Sequence, residues 1–149
     1  MRVFVPIALF VIMAANAIGA EMPLNRDVKQ DNLDTTTCLH GWTRAVRPPV
    51  SYTGDIKRRM MAEIGVPPEG EADVILDHRI PIVLGGSPAD PLNFMLQPAD
   101  ESKDKDRVEV CLARTVCAGR ISLDQAQRAI WENWRTAARL CSGFRVVPE

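Results

Sequence analysis

Four cysteines limit most strongly how this chain can fold: Cys38, Cys111, Cys117 and Cys141, an even set behind an apolar N-terminal segment. Arg2, the apolar run Val3 to Ala15 and the small-residue stretch Ala15-Asn16-Ala17-Ile18-Gly19-Ala20 have the three-part layout of a secretory signal peptide. The run is shorter than the roughly 20 residues a bilayer span needs. Cleavage after Ala17 or Ala20 is therefore expected, with residues 1–20 as leader and 21–149 as one domain in a secreted or periplasmic protein that keeps no stable membrane association. In such an oxidising compartment an even set of thiols becomes two disulfides. If Cys111 and Cys117 share a helix, about 9 Å of rise separates them, beyond the reach of a disulfide, so each pairs outside that helix. Of the pairings that remain, Cys38 with Cys117 and Cys111 with Cys141 is the expected one. Zinc is a poor alternative, because no C-x-x-C pair occurs and His40 is the only histidine near a cysteine.

The chain has 149 residues, with 18 Lys and Arg against 19 Asp and Glu, and a net charge of −1 excludes a generally basic nucleic-acid coat. With 46% apolar and 25% charged residues the composition is globular, and with aromatics at 5% the core must be mainly aliphatic. After a polar stretch from Glu21 to Thr37, the segment Trp42 to Tyr52 carries Pro48-Pro49 and should be extended or turned. Thr53 can cap a short helix over Gly54 to Ile64, with Ile56, Met60 and Ile64 on one face and Gly65 at its end. Val74-Ile75-Leu76 reads as a strand leading into Asp77-His78, Ile80 to Leu84 as a second apolar burst, and Asn93 to Gln97 as a short strand.

The C-terminal third reads as a helical hairpin. Asp100 or Ser102 can cap a helix lined by Val108, Cys111, Leu112, Thr115 and Val116, with Gly119 where a left-handed residue is wanted. Ser122 and Gln125 form a capping-box pattern, and Leu123, Ala126, Ile130, Trp134, Ala137 and Cys141 follow at steps of three and four. Asp100 to Glu109 reads as a solvated charged face. Lys103, Lys105 and Arg107 could touch phosphate only against the field of their acidic neighbours. Trp42, Trp131 and Trp134 could stack on bases, though Trp134 lies on the apolar helix face.

The chemistry-bearing stretch is Asp77-His78-Arg79, followed by Pro81, Gly85-Gly86 and Asn93. An acid and an imidazole adjacent on a regular strand point to opposite sides, so a shared site requires the backbone to bend there. Asn93 could hold the following loop to the strand end by bonding a backbone group. Arg79 is the best placed residue for a phosphate contact.

Asp-His, Pro, Gly-Gly and Asn at these distances resemble the motif of the HNH endonucleases, which have the ββα-metal fold. The match covers about 74–117. The run through Gln97-Pro98, Lys105-Asp106-Arg107, Glu109, Val116-Cys117 and Gly119 resembles small exported bacterial proteins of the HNH type. Cys38, Gly41-Trp42-Thr43, Arg47-Pro48 and Ser51-Tyr52-Thr53 resemble the lead-in of that group. The resemblance implies an α+β domain: a small ββα hairpin-plus-helix core with an added C-terminal helix, stapled by disulfides. It also implies that Asp77 ligates a divalent metal, His78 is general base on water, and Asn93 orients the His78 segment.

HNH sites usually add a His or Asn from the helix, and neither occurs between Gln97 and Gln125. Glu101 lies nearest the ligand position when Lys105-Asp106-Arg107 sets the register. Oxygen ligands favour Mg²⁺ or Mn²⁺ over zinc. A metal-dependent endonuclease is thus expected, acting on DNA or possibly RNA without sequence specificity, since no base-reading element is visible. The alternative is a non-catalytic secreted HNH-like scaffold that acts as a binding module.

Overall fold

A computed structural model describes residues 21–141. The expected leader and the last eight residues lie outside the described residues. The domain is α+β. Among the described residues the sheet is a two-stranded antiparallel hairpin of β1 (Val74–His78) and β2 (Phe94–Pro98), with pairing that runs from Val74↔Pro98 to His78↔Phe94. Ahead of it stand α1 (Trp42–Val46) and α2 (Val50–Glu63), and behind it α3 (Ala99–Cys117) and α4 (Leu123–Ala137).

The helical hairpin packs as its sequence dictates. Val108, Leu112, Thr115 and Val116 of α3 are buried, as are Leu123, Ala126, Ile130 and Ala137 of α4. Ser122 accepts the Gln125 backbone N–H while the Gln125 side chain accepts the Ser122 N–H at 2.9 Å, completing the capping box. Gly119 is left-handed, with φ of 68°. Both disulfides are the expected ones: Cys38–Cys117 ties the N-terminal segment to the end of α3, and Cys111–Cys141 ties α3 to the segment after α4. They suit an oxidising compartment. Among the described residues, no helix is long and apolar enough to cross a membrane.

Several local expectations are corrected. Pro48-Pro49 does not keep Trp42 to Tyr52 extended, because a proline with φ near −62° is compatible with the start of a helix, and α2 begins at Val50 directly behind Pro49. Thr53 therefore lies inside α2 and its hydroxyl donates to the Val50 carbonyl at 3.2 Å. The buried face of α2 is Ile56 and Met61, while Ile64 is exposed. Neither Asp100 nor Ser102 caps α3, which starts at Ala99 behind Pro98. The apolar burst Ile80 to Leu84 takes the form of a 3-10 turn at Ile82–Leu84, with Ile80 and Leu84 fully in the core. Asn133 adopts an extended backbone within α4, and Ala138–Leu140 continues as a 3-10 turn.

The polar N-terminal stretch also contributes to the body. Val28 and Leu33 enter the core, Leu24 bridges to Gly86, and Gln30 Oε1 accepts the Leu123 backbone N–H at 2.7 Å.

Candidate functional site

Pairing stays regular through His78↔Phe94, so the bend expected between Asp77 and His78 is not found, and alternation sends the two side chains apart. The Asp77 carboxylate reaches α3 and the His78 ring turns to the loop around Pro88. Two small clusters result, joined through the backbone of β1.

On the His78 side, the imidazole is 6% exposed and packs on Phe94 with ring centroids 4.9 Å apart. Its Nε2 lies 3.1 Å from the Pro88 carbonyl oxygen. A carbonyl only accepts, so Nε2 carries the proton in the neutral ring and Nδ1 keeps a lone pair. Nδ1 has no hydrogen-bond partner among the described residues. Burial lowers the His78 pKa below its ordinary 6.5, with the Arg47 and Lys105 charges in the same direction and the Pro88 bond and Asp77 charge opposed. At neutral pH the ring is an uncharged base.

The loop that orients this ring is held at both ends. Asn93 is fully buried; its Oδ1 accepts the Ile80 N–H at 2.9 Å, and its Nδ2 donates to Ile80 O at 2.9 Å and Ser87 O at 2.8 Å. Its own carbonyl accepts the Arg79 N–H at 2.7 Å. Asn93 thus positions the segment and presents nothing to a ligand. Tyr52 of α2 donates its hydroxyl to Ala89 O at 2.8 Å, next to Pro88, and the charge of exposed Arg47, between α1 and α2, acts on the imidazole.

On the Asp77 side, a lysine sits at the centre. Lys105 is 0% exposed and donates to Asp77 Oδ2 at 2.8 Å, to the His78 carbonyl at 2.8 Å and to Glu109 Oε1. Asp77 accepts two further bonds: Oδ1 takes the His78 backbone N–H at 2.7 Å and Oδ2 also takes Gln97 Nε2 at 3.1 Å. Burial alone would depress the Lys105 pKa, but the Glu109 and Asp77 carboxylates outweigh it and the net shift is upward. Burial drives Glu109 the other way from an ordinary carboxylate, up to about 7, against the pull of Lys105 and with help from the Asp77 charge.

Glu101 is not part of either cluster. Its carboxylate pairs with Arg135 of α4. Among the described residues no three His, Cys, Asp or Glu side chains converge on a point where a metal could sit. With Asp77 taken by an ammonium and Glu101 by a guanidinium, these residues do not fit the divalent ion expected of them. Arg79 is exposed, and its guanidinium carbon lies 3.8 Å from the centroid of Trp131. Trp134 is half-buried against the core with Arg135 over its ring.

Sequence reasoning missed Arg47, Gln97, Lys105 and Glu109 as site residues. Lys105 and Glu109 did carry a signal, an i, i+4 pair, but it reads as a solvated face, which holds for Asp104 and Arg107 and fails for Lys105. Compared with known proteins, the chain matches no protein-family model, no curated protein and no solved structure.

Proposed function

We propose that the protein is an exported, HNH-like phosphodiester hydrolase acting on nucleic acid, DNA by preference, with His78 as general base. The carrying observation is an uncharged imidazole whose tautomer is fixed by Pro88, so that Nδ1 keeps its lone pair with no hydrogen-bond partner among the described residues. A ring so held is ready to take a proton from water near neutral pH. The water oxygen forms the new P–O bond in line with the departing sugar oxygen; its proton passes to Nδ1, the old P–O bond breaks, and solvent protonates the leaving oxygen. Phosphate charge is met by exposed Arg47, whose charge acts on the ring, and by exposed Arg79. Asp77 and Glu101 are engaged by Lys105 and Arg135 and hold no metal for this reaction.

The engaged Asp77 also favours a second reading, a disulfide-stabilised exported module that uses the hairpin and helix for binding alone. Plasmid nicking separates the two. Wild type is expected to nick in buffer with Mg²⁺, Mn²⁺ or chelator, and His78→Ala to lose a factor of about 10² to 10⁴. Folded wild type that cleaves neither DNA nor RNA in any of these buffers sinks the hydrolase reading in favour of the module; equal cleavage by wild type and His78→Ala removes His78 from the mechanism.

A further inference from the structure

The ammonium of Lys105 is enclosed as a metal ion would be. Its three protons meet three oxygens of different origin: a carboxylate from β1 (Asp77 Oδ2, 2.8 Å), the main-chain carbonyl of the next residue (His78, 2.8 Å) and a carboxylate one turn along its own helix (Glu109 Oε1). An ammonium has no further donor to offer, so the shell is complete. A carboxylate only accepts, so the Gln97 amide must present Nε2 to Asp77 Oδ2, and this leaves Oε1 as a buried acceptor without a partner beside the same shell. Hard oxygens, two of them from carboxyl groups, are the donor set that Mg²⁺ or Mn²⁺ prefers.

We infer that Lys105 is a built-in cation: its ammonium occupies an oxygen shell formed by Asp77, His78 and Glu109, excludes divalent metal from it, and makes the protein independent of metal at this site. A divalent ion could not join the shell, because like charges at contact distance in a water-poor site repel strongly and the ammonium already holds the three oxygens that form it. Lys105 is not a catalytic residue, since its 0% exposure keeps it from any substrate. It fixes Asp77 and the end of β1 against α3, a task that a ligated metal could also perform. The inference goes beyond the proposed hydrolysis and holds whether or not the protein cleaves phosphodiesters.

The test is Mn²⁺ binding, followed by the electron paramagnetic resonance signal of free Mn²⁺ and by the thermal midpoint, on the full-length mature chain. Wild type is expected to take up no Mn²⁺ and to keep its midpoint in millimolar Mn²⁺ or chelator. Lys105→Ala opens the shell and should bind Mn²⁺ roughly tenfold or more tightly than wild type, with a raised midpoint. Adding Asp77→Asn to that variant should abolish the gain. Mn²⁺ uptake by wild type that Asp77→Asn removes overturns the inference, and so does a folded Lys105→Ala that ignores Mn²⁺. If Lys105→Ala fails to fold with or without Mn²⁺, the wild-type titration decides alone. The readout is binding, so failure of the nicking assay leaves this result intact, and Mn²⁺ uptake by wild type leaves the base role of His78 to that assay.

Discussion

Asn93 and Ile80 exchange two hydrogen bonds as though they were paired strand residues, Asn93 Oδ1 accepting the Ile80 N–H and Nδ2 donating to the Ile80 carbonyl, both at 2.9 Å. A side-chain amide carries a donor and an acceptor in the same plane, so it continues the ladder one step past the end of β1 where the main chain has turned away. Asn93→Ala strips partners from Ile80 N, Ile80 O and Ser87 O in a fully buried position. Each orphaned group costs about 1–3 kcal/mol, so a loss of about 3 kcal/mol or more is expected in urea unfolding. A loss below about 1 kcal/mol would show that water replaces the amide and that the loop does not depend on it.

Gly86 is needed for closeness. A Cβ there would lie 1.8 Å from Ile80 O and 2.8 Å from Asn93 Nδ2, in rigid backbone and in the same buried bond network. Gly86→Ala should therefore cost at least as much as Asn93→Ala, and adding Asn93→Ala to it should cost little more, because the two changes break one feature. Additive losses in the double variant would refute that coupling. The circular dichroism melt of the three variants gives the comparison.

These two positions also show what could be read in advance. Asn93, Gly85-Gly86, Gly119 and the Ser122–Gln125 capping box act through neighbours close in sequence or through a backbone geometry that few residues tolerate, so their chemistry is visible in residue type and spacing. Lys105 is different. Its burial depends on Asp77, 28 positions earlier, and on the carbonyl of His78, neither of which changes the local pattern of a charged helix face. Arg47 and Tyr52 were equally opaque, since Pro48-Pro49 argues for a chain break, whereas Pro49 simply precedes the first turn of α2. The convergence of Asp77 and His78 was expected from function alone, and ordinary strand alternation prevailed.

The two disulfides close loops of different length, 79 residues for Cys38–Cys117 and 30 for Cys111–Cys141. On chain-entropy grounds the first stabilises by roughly 4–5 kcal/mol and the second by roughly 3–4 kcal/mol. Replacing each pair by serine should lower the urea midpoint more for Cys38 and Cys117, and mass mapping without reductant should find neither pair as free thiol. Cross-linked peptides joining Cys38 to Cys111 would contradict the pairing directly.

The Lys105 shell makes stability depend on pH through Glu109. Its folded pKa, about 7, lies above its ordinary 4.5, so between those values the folded protein holds a proton that the unfolded chain has released. Stability from this group is therefore complete below about 4.5 and is lost as pH rises towards 7, by an amount on the order of 2–3 kcal/mol at most. His78 works in the opposite sense: its folded pKa lies below 6.5, so its contribution is present above 6.5 and is lost as pH falls through the folded value. The two partly cancel in wild type, which should show a shallow profile from pH 5 to 7. Glu109→Gln keeps an acceptor for Lys105 without the titration and should leave the His78 limb alone, so stability should then climb with pH across that range. Urea unfolding at pH 5, 6 and 7 measures both proteins. A Glu109→Gln profile parallel to wild type would mean that Glu109 is ionised throughout, as an ordinary partner of Lys105.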